Sequence, residues 1–445
     1  MTKPISISLS PNTEKDDIEL AFKLMSRPWL WKKGKAIEQL ENEFKSYLGV
    51  KHAVSFNSGR SAFLAILESL PFNNKDLSCS LTSAPKEVML QSFTCNAASN
   101  PIIWSGLKPV YQDVDKNNFN IDLKSLKMKL TSRSRAVVVQ HTFGLPVNMD
   151  EVLEFCRKND LILIEDCAHS LGASYKGKKV GTFGKAAFFS FSRDKVISSV
   201  YGGMAVTDDD ELAKQLRIFQ EKIGYPSYLW IFQQLLHPVL MNRIILPTYG
   251  FLGKYLLVLF QWFNILSKAV HWKEKRGKKP GYFPRRLPNA LAILAFNQFK
   301  KLDRFNEHRK EIARFYFENL KDTTFILPPV YADRESIFLR FPIRHYNAHQ
   351  IIRDAWRKNM LIGDWYTTVI APHDTKMDKL EYYFGDCPRA EDLSKETLNL
   401  PTHINISEKD AQKIVSFLKQ YDSPVKMKNP SAGNDNFSSE EQKIK

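Results

Sequence analysis

The clearest pattern in the chain is an alternation of apolar runs and helical stretches between residues 51 and 208. Residues 136–139, 161–164 and 186–189 are apolar at every position, and 150–158 has helical character. Runs without a polar position are typical of strands that are covered on both faces, as in a parallel sheet. The pattern therefore predicts an open α/β sheet, in which ligands lie beyond the carboxyl ends of the strands.

A helical period takes over from Leu287 to Leu320, where apolar residues recur mostly at three- and four-residue spacing and predict one buried stripe. Residues 336–341 then read as a strand. Residues 407–410, Ser-Glu-Lys-Asp, resemble a capping box at the start of a last helix. This part of the chain predicts a smaller α+β domain.

These changes of pattern divide the chain into four parts. We expect a large α/β domain over 1–224, an apolar and basic insertion over 225–286, and a linking helix with a small α+β domain over 287–422. Residues 423–445 are rich in Lys, Asn, Ser and Glu and have too few apolar residues to build a core. Such a composition predicts a disordered tail.

The insertion is the unusual part of the sequence. Residues 225–272 are dense in aromatic and aliphatic side chains, and a basic run follows at 273–279. Residues 225–242 carry no formal charge, but two prolines, two glutamines and a histidine make them a poor transmembrane span. A Trp-containing apolar stretch beside clustered Lys and Arg is typical of an interfacial membrane element. An apolar hairpin packed on the protein or on a dimer partner fits equally well.

Composition and charge narrow the class of protein. With 43% hydrophobic and 25% charged residues, the chain is globular rather than fibrous or wholly disordered. Its 64 Lys and Arg against 48 Asp and Glu give a net charge of +16, which favours anionic partners. No nucleic-acid reader motif accompanies that charge, so we expect no nucleic-acid partner.

The cysteines, the histidines and the N-terminus each exclude a class of feature. The five cysteines form no C-x-x-C pair, so we expect neither a disulfide framework nor a zinc site, and a reducing cytoplasm fits best. His345 and His349 alone share H-x-x-x-H spacing, but no Glu follows His345, so we expect no metal. The first residues lack the apolar core of a signal peptide.

Two residues at strand ends carry candidate chemistry. Asp166 follows the apolar run 161–164, where a carboxylate can pair with a cationic ring nitrogen or a metal; a helix cap or turn is the ordinary alternative. Lys195 comes shortly after the run 186–189. Burial there lowers the pKa of an amine and frees it to attack a carbonyl, whereas a surface lysine is the ordinary alternative.

A third element is the stretch Asn-Ser-Gly-Arg-Ser at 57–61, before the helical pattern 62–70. Small residues that enter a helix N-terminus offer free backbone N–H groups to a phosphate, and Arg60 adds charge. Ordinary capping by Ser58 explains the same residues.

Together these elements resemble the DegT/StrS family of pyridoxal-phosphate-dependent sugar aminotransferases. The order and spacing of Ser-Gly-Arg-Ser, Glu-Asp-x-Ala-His and Ser-Phe-x-x-x-Lys before Gly-Gly fit the family. The resemblance extends over roughly residues 15–420 apart from the insertion, and several matching blocks in order are far more specific than any one. Further similar blocks lie at 93–94, 108–114, 141–146, 298–303 and 387–391.

The resemblance implies fold type I of the pyridoxal-phosphate-dependent transferases, with pyridoxal 5′-phosphate as cofactor. Lys195 matches the Schiff-base lysine, Asp166 the partner of the pyridine nitrogen, and His169 a position near the ring oxygen. Cys95 stands where many members have an aromatic residue against the ring. The positions that hold the phosphate match Gly59, Arg60, Ser61 and Ser190.

The implied reaction moves an amino group from an amino acid, expected to be L-glutamate, to a keto-sugar, expected to be nucleotide-linked, for a surface glycan or polysaccharide. Relatives that dehydrate sugars have histidine where this chain has Lys195, so transamination is favoured. Elimination, another sugar, and a non-catalytic regulatory role of a cofactor-binding protein are the alternatives.

The resemblance also bears on the setting of the enzyme. We expect a cytoplasmic homodimer, and residues 225–279 leave open a peripheral contact with the inner face of the membrane. Pro284 stands where members have an Asn that can reach the phosphate of a partner subunit, so that contact is in doubt.

Overall fold

The structure is a computed structural model that describes residues 3–71 and 84–422; Cys79 and the predicted disordered tail 423–445 lie outside these ranges. The strands are β1 (Ile5–Ser6), β2 (His52–Phe56), β3 (Glu87–Gln91), β4 (Thr94–Cys95), β5 (Lys108–Gln112), β6 (Ser134–Gln140), β7 (Ile162–Asp166), β8 (Ser174–Tyr175), β9 (Lys178–Lys179), β10 (Ala186–Ser190), β11 (Gly203–Thr207), β12 (Arg334–Glu335), β13 (Phe341–Arg344), β14 (Met360–Leu361), β15 (Ile370–Ala371) and β16 (Thr397–Leu400).

The α-helices are α1 (Lys15–Met25), α2 (Ala36–Leu48), α3 (Gly59–Ser69), α4 (Asn96–Trp104), α5 (Leu123–Met128), α6 (Met149–Lys158), α7 (Asp210–Ile223), α8 (Tyr228–Leu240), α9 (Lys254–Trp262), α10 (Asn289–Phe299), α11 (Leu302–Leu320), α12 (Ala348–Arg357), α13 (Pro388–Glu396) and α14 (Glu408–Leu418). Turns of 3-10 helix lie at Pro28–Leu30, Thr142–Gly144, Glu274–Arg276, Met377–Leu380 and Lys419–Tyr421. Turns of π-helix lie at Met241–Ile245 and Tyr249–Gly253.

A seven-stranded sheet in the order β2-β11-β10-β7-β6-β3-β5 forms the centre of the molecule. β11 is antiparallel to both β10 and β2, and the other neighbouring strands are parallel. The apolar runs at 136–139, 161–164 and 186–189 become β6, β7 and β10, which confirms the predicted α/β sheet. The central sheet is thus mostly parallel, as the family resemblance implied for the large domain.

Helices cover the sheet on both faces, which explains the apolar runs in β6, β7 and β10. In β10, Phe188 stacks on Phe63 of α3 with ring centroids 4.5 Å apart. The next residue, Phe189, points to the opposite face and packs edge-on against Phe44 of α2 at 5.6 Å. Because successive side chains of a strand alternate between faces, a strand with helices on both sides favours apolar residues at consecutive positions.

The C-terminal part differs from its predicted pattern in two places. The helical period of 287–320 is divided between α10 and α11, which are separated at Lys300–Lys301. The predicted strand at 336–341 is wrong, since β13 begins only at Phe341. Backbone groups just before it are used elsewhere: Ile337 N–H donates to Gly144 O, and the Thr402 hydroxyl donates to Phe338 O.

Other contacts of this part agree with the sequence or bring its ends together. The capping box is confirmed, because the Ser407 hydroxyl accepts from Asp410 N–H while the Asp410 carboxylate accepts from Ser407 N–H. β1 pairs with β14, and β4 pairs with β15, so the C-terminal part lies directly against the N-terminal half. The predicted domain boundaries stay a prediction.

The insertion folds as a helical hairpin, by which we mean residues 228–262 with α8, the two π-turns and α9. Within the described ranges, no single helix has both the length and the apolar character needed to cross a membrane. Residues 228–245 and 249–262 reach that length and character together, but they are bent by 107°.

Candidate active site

Asp166 is the last residue of β7 and is buried at the carboxyl edge of the sheet. Its Oδ1 accepts a hydrogen bond of 3.0 Å from Ala168 N–H. Burial raises the pKa of Asp166 from an ordinary 3.8 to about 6, although the charge of Lys195 partly opposes that rise. The charged form of the Asp166 carboxylate is therefore poorly solvated, so a cationic group placed beside it would be stabilising.

Lys195 lies in the loop between β10 and β11, and its Nζ is 4.6 Å from the ring centroid of Trp365. Burial lowers the pKa of Lys195, against the opposing charges of Asp194, Cys95 and Asp166. The structure therefore brings the two predicted chemical residues, Lys195 and Asp166, to one site. A lysine with a lowered pKa has a larger neutral fraction, which is the form that attacks a carbonyl or accepts a proton.

Two distant residues fix the backbone of the lysine loop. The Asn12 side-chain amide donates to the carbonyl oxygens of Lys195 and Val196. The Arg309 guanidinium donates to Val196 O at 2.8 Å and to Asn12 Oδ1 at 2.9 Å. Sequence reasoning missed both residues, because nothing near them in the chain distinguishes them from ordinary polar positions.

The N-terminus of α3 meets the ends of β10 and β11 at very close range. The Ser58 hydroxyl caps the helix by accepting from Ser61 N–H at 3.0 Å, and the first amides of a helix have no partner within it. A Cβ on Gly59 would lie 2.9 Å from Ser190 Cβ, and a Cβ on Gly203 would lie 2.4 Å from Gly59 N. The two glycines thus let a helix N-terminus and Ser190 approach each other, as an anion site requires.

Arg60 has a partner that the sequence did not suggest. Its Nη1 forms a buried ion pair with Glu274, and its Nη2 donates to Ala269 O at 3.0 Å. Its guanidinium also lies 4.8 Å from the ring centroid of Phe283. Its side chain is therefore engaged by the segment that returns from the hairpin. The predicted role of Arg60 in cofactor binding stays a prediction, with its backbone N–H at the helix N-terminus.

His169 is buried and neutral. Its Nδ1 accepts from Phe143 N–H at 3.3 Å, so the ring proton of the neutral form is on Nε2. Burial holds the pKa of His169 well below its ordinary 6.5, and the nearby charges of Lys195 and Arg340 act in the same direction. The residue thus offers one N–H donor at the site and no charge.

The aromatic surface near Lys195 comes from Trp365. Cys95, at the N-cap of α4, offers only a thiol whose Sγ accepts from Ala97 N–H at 3.5 Å, and burial raises its pKa. Trp365 instead stacks on His169 with centroids 5.1 Å apart and an interplanar angle of 20°. An aromatic ring beside Lys195 thus comes from another segment of the chain, and the predicted role of Cys95 in cofactor binding stays a prediction.

Arg340 is the most informative residue that the sequence reasoning missed. It is buried, and its guanidinium carbon lies 3.2 Å from the Trp365 ring centroid. Its Nη2 donates to Ser8 and Asp194, whereas Nε and Nη1 have no hydrogen-bond partner within residues 3–71 and 84–422. One signal was present: an arginine inside the apolar run 337–341.

Among the residues that the structure describes, two groups of side chains have metal-ligand chemistry, and both are already engaged. The buried group is His141, Glu165 and Cys167, in which Glu165 accepts three backbone N–H bonds, from Gly181, Phe183 and Gly184. The second group, Glu14, Asp16 and Asp17, is paired with Lys301, and Arg304 also bonds Glu14. The expectation of no metal stays a prediction.

Most of the chain matches a single protein family. The sequence profile of the DegT/DnrJ/EryC1/StrS aminotransferase family matches residues 11–227 and 260–419. The residues between these ranges contain most of the hairpin.

Characterised sequences and a solved structure match over nearly the full length. GDP-perosamine synthase of Caulobacter vibrioides is 26% identical over 414 residues, 92% of this chain and 96% of that protein. The dTDP-3-amino-3,6-dideoxy-alpha-D-galactopyranose transaminase of Aneurinibacillus thermoaerophilus is 27% identical over 392 residues, 87% and 90% of the two chains. Helicobacter pylori PseC, an aminotransferase involved in the biosynthesis of pseudoaminic acid, shares the fold with a TM-score of 0.71, 23% identity and coverage of 94% and 99%.

Proposed function

From the premise that the chain belongs to the DegT/DnrJ/EryC1/StrS aminotransferase family, we propose that it transfers an amino group from L-glutamate to a nucleotide-linked keto-sugar, with pyridoxal 5′-phosphate as cofactor. The observation that carries the proposal is that the partly buried Lys195 and the buried Asp166 lie near each other at the carboxyl edge of the sheet, where each influences the pKa of the other. The names of the relatives support nucleotide sugars as the substrate class and glycan biosynthesis as the pathway.

The donor set of the site fits this cofactor. Burial disfavours the charged form of the Asp166 carboxylate, and the protonated pyridine nitrogen of the cofactor would stabilise that form. The pKa of the Lys195 amine is lowered, so a larger fraction of it is neutral and able to attack the aldehyde of the cofactor. The N-terminus of α3 with Ser61 and Ser190 offers N–H and O–H donors for the phosphate. When bound, the cofactor supplies an electron sink for the carbanion that forms during amino transfer.

The roles of the chain's own residues follow from their protonation states. Lys195 would hold the cofactor and would move the proton at the substrate carbon as a general acid and base, for which a lowered pKa is suited. Asp166 would be the carboxylate partner of the pyridine nitrogen. His169 would offer its Nε2–H to the ring oxygen without adding charge.

Arg340 is our choice for the residue that receives a carboxylate of the amino donor. A buried guanidinium whose Nε and Nη1 have no partner among the described residues is short of acceptors, and a carboxylate provides them in a charge-assisted bond. Its position on the face of Trp365, which also contacts Lys195, supports a place beside the reacting amine.

We further propose that the enzyme works as a cytoplasmic homodimer. The scattered cysteines support a reducing compartment, and family membership supports the dimer. Pro284 offers no side-chain donor to a partner's phosphate site. In its place, the ion pair of Arg60 with Glu274 orders the same region within one chain.

Visible absorption of the purified protein during addition of L-glutamate tests the proposal. We expect the band of the lysine-bound cofactor to disappear as the amino group is taken up. Lys195→Ala should slow this conversion at least ~100-fold, the scale of a lost general acid and base. The exposed Lys124 gives a matched control, since Lys124→Ala should leave the rate unchanged.

The same measurement separates the alternatives. A regulatory protein would bind the cofactor without conversion by glutamate, and an eliminating enzyme would consume the sugar without needing an amino donor. An unaltered rate in Lys195→Ala would disprove the role proposed for Lys195.

A further inference from the structure

The outward face of α9 is apolar, which is the reverse of an ordinary surface helix. Phe251, Tyr255, Leu259 and Phe263 follow at intervals of four residues and are 69%, 61%, 43% and 59% exposed. Trp262 beside them is 73% exposed. We call these five residues the aromatic stripe. A contiguous exposed apolar surface of this kind marks a contact with a membrane or another protein.

The inward face of the hairpin is fixed to the body of the protein. Met241, Ile245, Tyr249 and Leu257 form a small core with Leu266, and Leu9 and Leu361 pack against it. In α8, Ile231 and Leu235 belong to the core beneath the central sheet. Because these buried residues of both helices belong to the cores of the protein, the hairpin is held on the body, and the stripe is on its exposed side.

The segment that contains this apolar surface is strongly basic. Residues 225–286 contain ten Lys and Arg but a single acidic residue, Glu274, which is buried against Arg60. The segment therefore supplies +9 of the chain's net charge of +16. An anionic surface complements this charge.

Cationic and aromatic groups are also intermixed at the surface itself. Lys254 lies 4.9 Å from the ring of Tyr255 within the stripe. Trp272, which is exposed, has Arg276 at 5.6 Å and Lys273 at 5.8 Å from its ring. Aromatic rings at the headgroup level with Lys and Arg beside them are typical of elements that lie in a membrane interface.

We propose that the aromatic stripe and the basic residues around it dock the enzyme on a membrane surface that contains anionic phospholipid. The stripe enters the boundary between headgroups and acyl chains, and the basic residues contact the phosphate groups. A second copy of the chain is the competing occupant, but a segment with a net charge of +9 repels its own copy, whereas it attracts an anionic bilayer. The inference goes beyond the proposed transamination and does not depend on it.

Sedimentation with vesicles tests the proposal on the full-length holoenzyme. We expect binding to vesicles of equal parts phosphatidylglycerol and phosphatidylcholine, little binding to phosphatidylcholine alone, and weaker binding as salt is raised. The stripe variant Phe251→Ser/Tyr255→Ser/Trp262→Ser/Phe263→Ser should bind at least tenfold more weakly. The charge variant Arg276→Gln/Lys278→Gln/Lys279→Gln should also lose more than tenfold, since each basic residue near the surface contributes about 1 kcal/mol.

Matched controls lie outside the hairpin. Phe22 and Trp29 are 64% and 72% exposed, so Phe22→Ser/Trp29→Ser removes similar apolar surface and should not change binding. Lys124→Gln/Lys127→Gln/Lys409→Gln removes three charges at exposed sites with the same expectation. The cofactor band and its response to glutamate should persist in the stripe variant, which shows that it folds and separates docking from catalysis.

Three results would overturn the proposal. The first is no binding of the unaltered protein to anionic vesicles. The second is equal binding of the stripe variant and the unaltered protein. The third is a smaller mass of the stripe variant in light scattering with unchanged vesicle binding, which would assign the stripe to a second copy of the chain.

Discussion

We predict that the protein without cofactor is less stable with Asp166 than with the isosteric substitution Asp166→Asn. Burial raises the pKa of this carboxyl from 3.8 to about 6. Between these pH values the folded chain holds a proton that the unfolded chain has released, so stability falls as pH rises through the window. Above about pH 6 the buried charge lowers the free energy of unfolding by its full amount, about 3 kcal/mol for a shift of about two pKa units.

Asp166→Asn removes that cost and keeps the acceptor for Ala168 N–H. An unfolding entropy of about 2 cal/mol/K per residue gives about 0.9 kcal/mol/K for the chain, so the variant should melt about 3 °C higher at pH 8. At pH 5 about half of the gain should remain, because the wild-type carboxyl is then mostly protonated. Thermal denaturation of both proteins, freed of cofactor, measures the difference.

Adding the cofactor should reverse the order. Wild-type protein gains the pairing of Asp166 with the pyridine nitrogen and should be stabilised more than the variant. A cofactor-free Asp166→Asn protein that melts below wild type at pH 8 would refute the claim that this carboxylate is kept at the expense of stability for function.

Two further predictions concern buried arginines. Glu274→Gln leaves the charge of Arg60 buried without a counterion, which costs about 3–5 kcal/mol, so the melting temperature should fall by about 3–5 °C. The exposed ion pair of Glu154 with Lys158 provides the control, since Glu154→Gln should change the melting temperature by less than about 1 °C. Equal changes in melting temperature for the two variants would contradict the importance of the buried pair. Arg340→Met should weaken the apparent affinity for glutamate in the half-reaction at least ~30-fold, as expected for a lost charge-assisted bond. The same change at Arg344, another buried arginine, should leave that affinity unchanged. Unaltered affinity in Arg340→Met would disprove donor binding at Arg340.

The central sheet was predictable for a local reason, whereas the cofactor roles of individual residues came from the family resemblance. A strand covered on both faces needs an apolar residue at every position, so β6, β7 and β10 are visible in the sequence. Asp166 and Lys195 follow such strands closely, and parallel strands bring their carboxyl ends to one edge. At 337–339 the backbone groups form hydrogen bonds with a turn and a side chain instead of a neighbouring strand, so the apolar run there was wrongly predicted as a strand.

The sequence by itself determined the class of fold, the place of the lysine and the carboxylate in it, and the unusual character of the insertion, because each is written in consecutive residues. The tertiary structure alone decided that Glu274, 214 residues away, neutralises Arg60 and that Trp365 supplies the ring beside Lys195. It also decided which side of the hairpin is exposed. Such features depend on contacts between distant segments, whose partners no local period or spacing encodes.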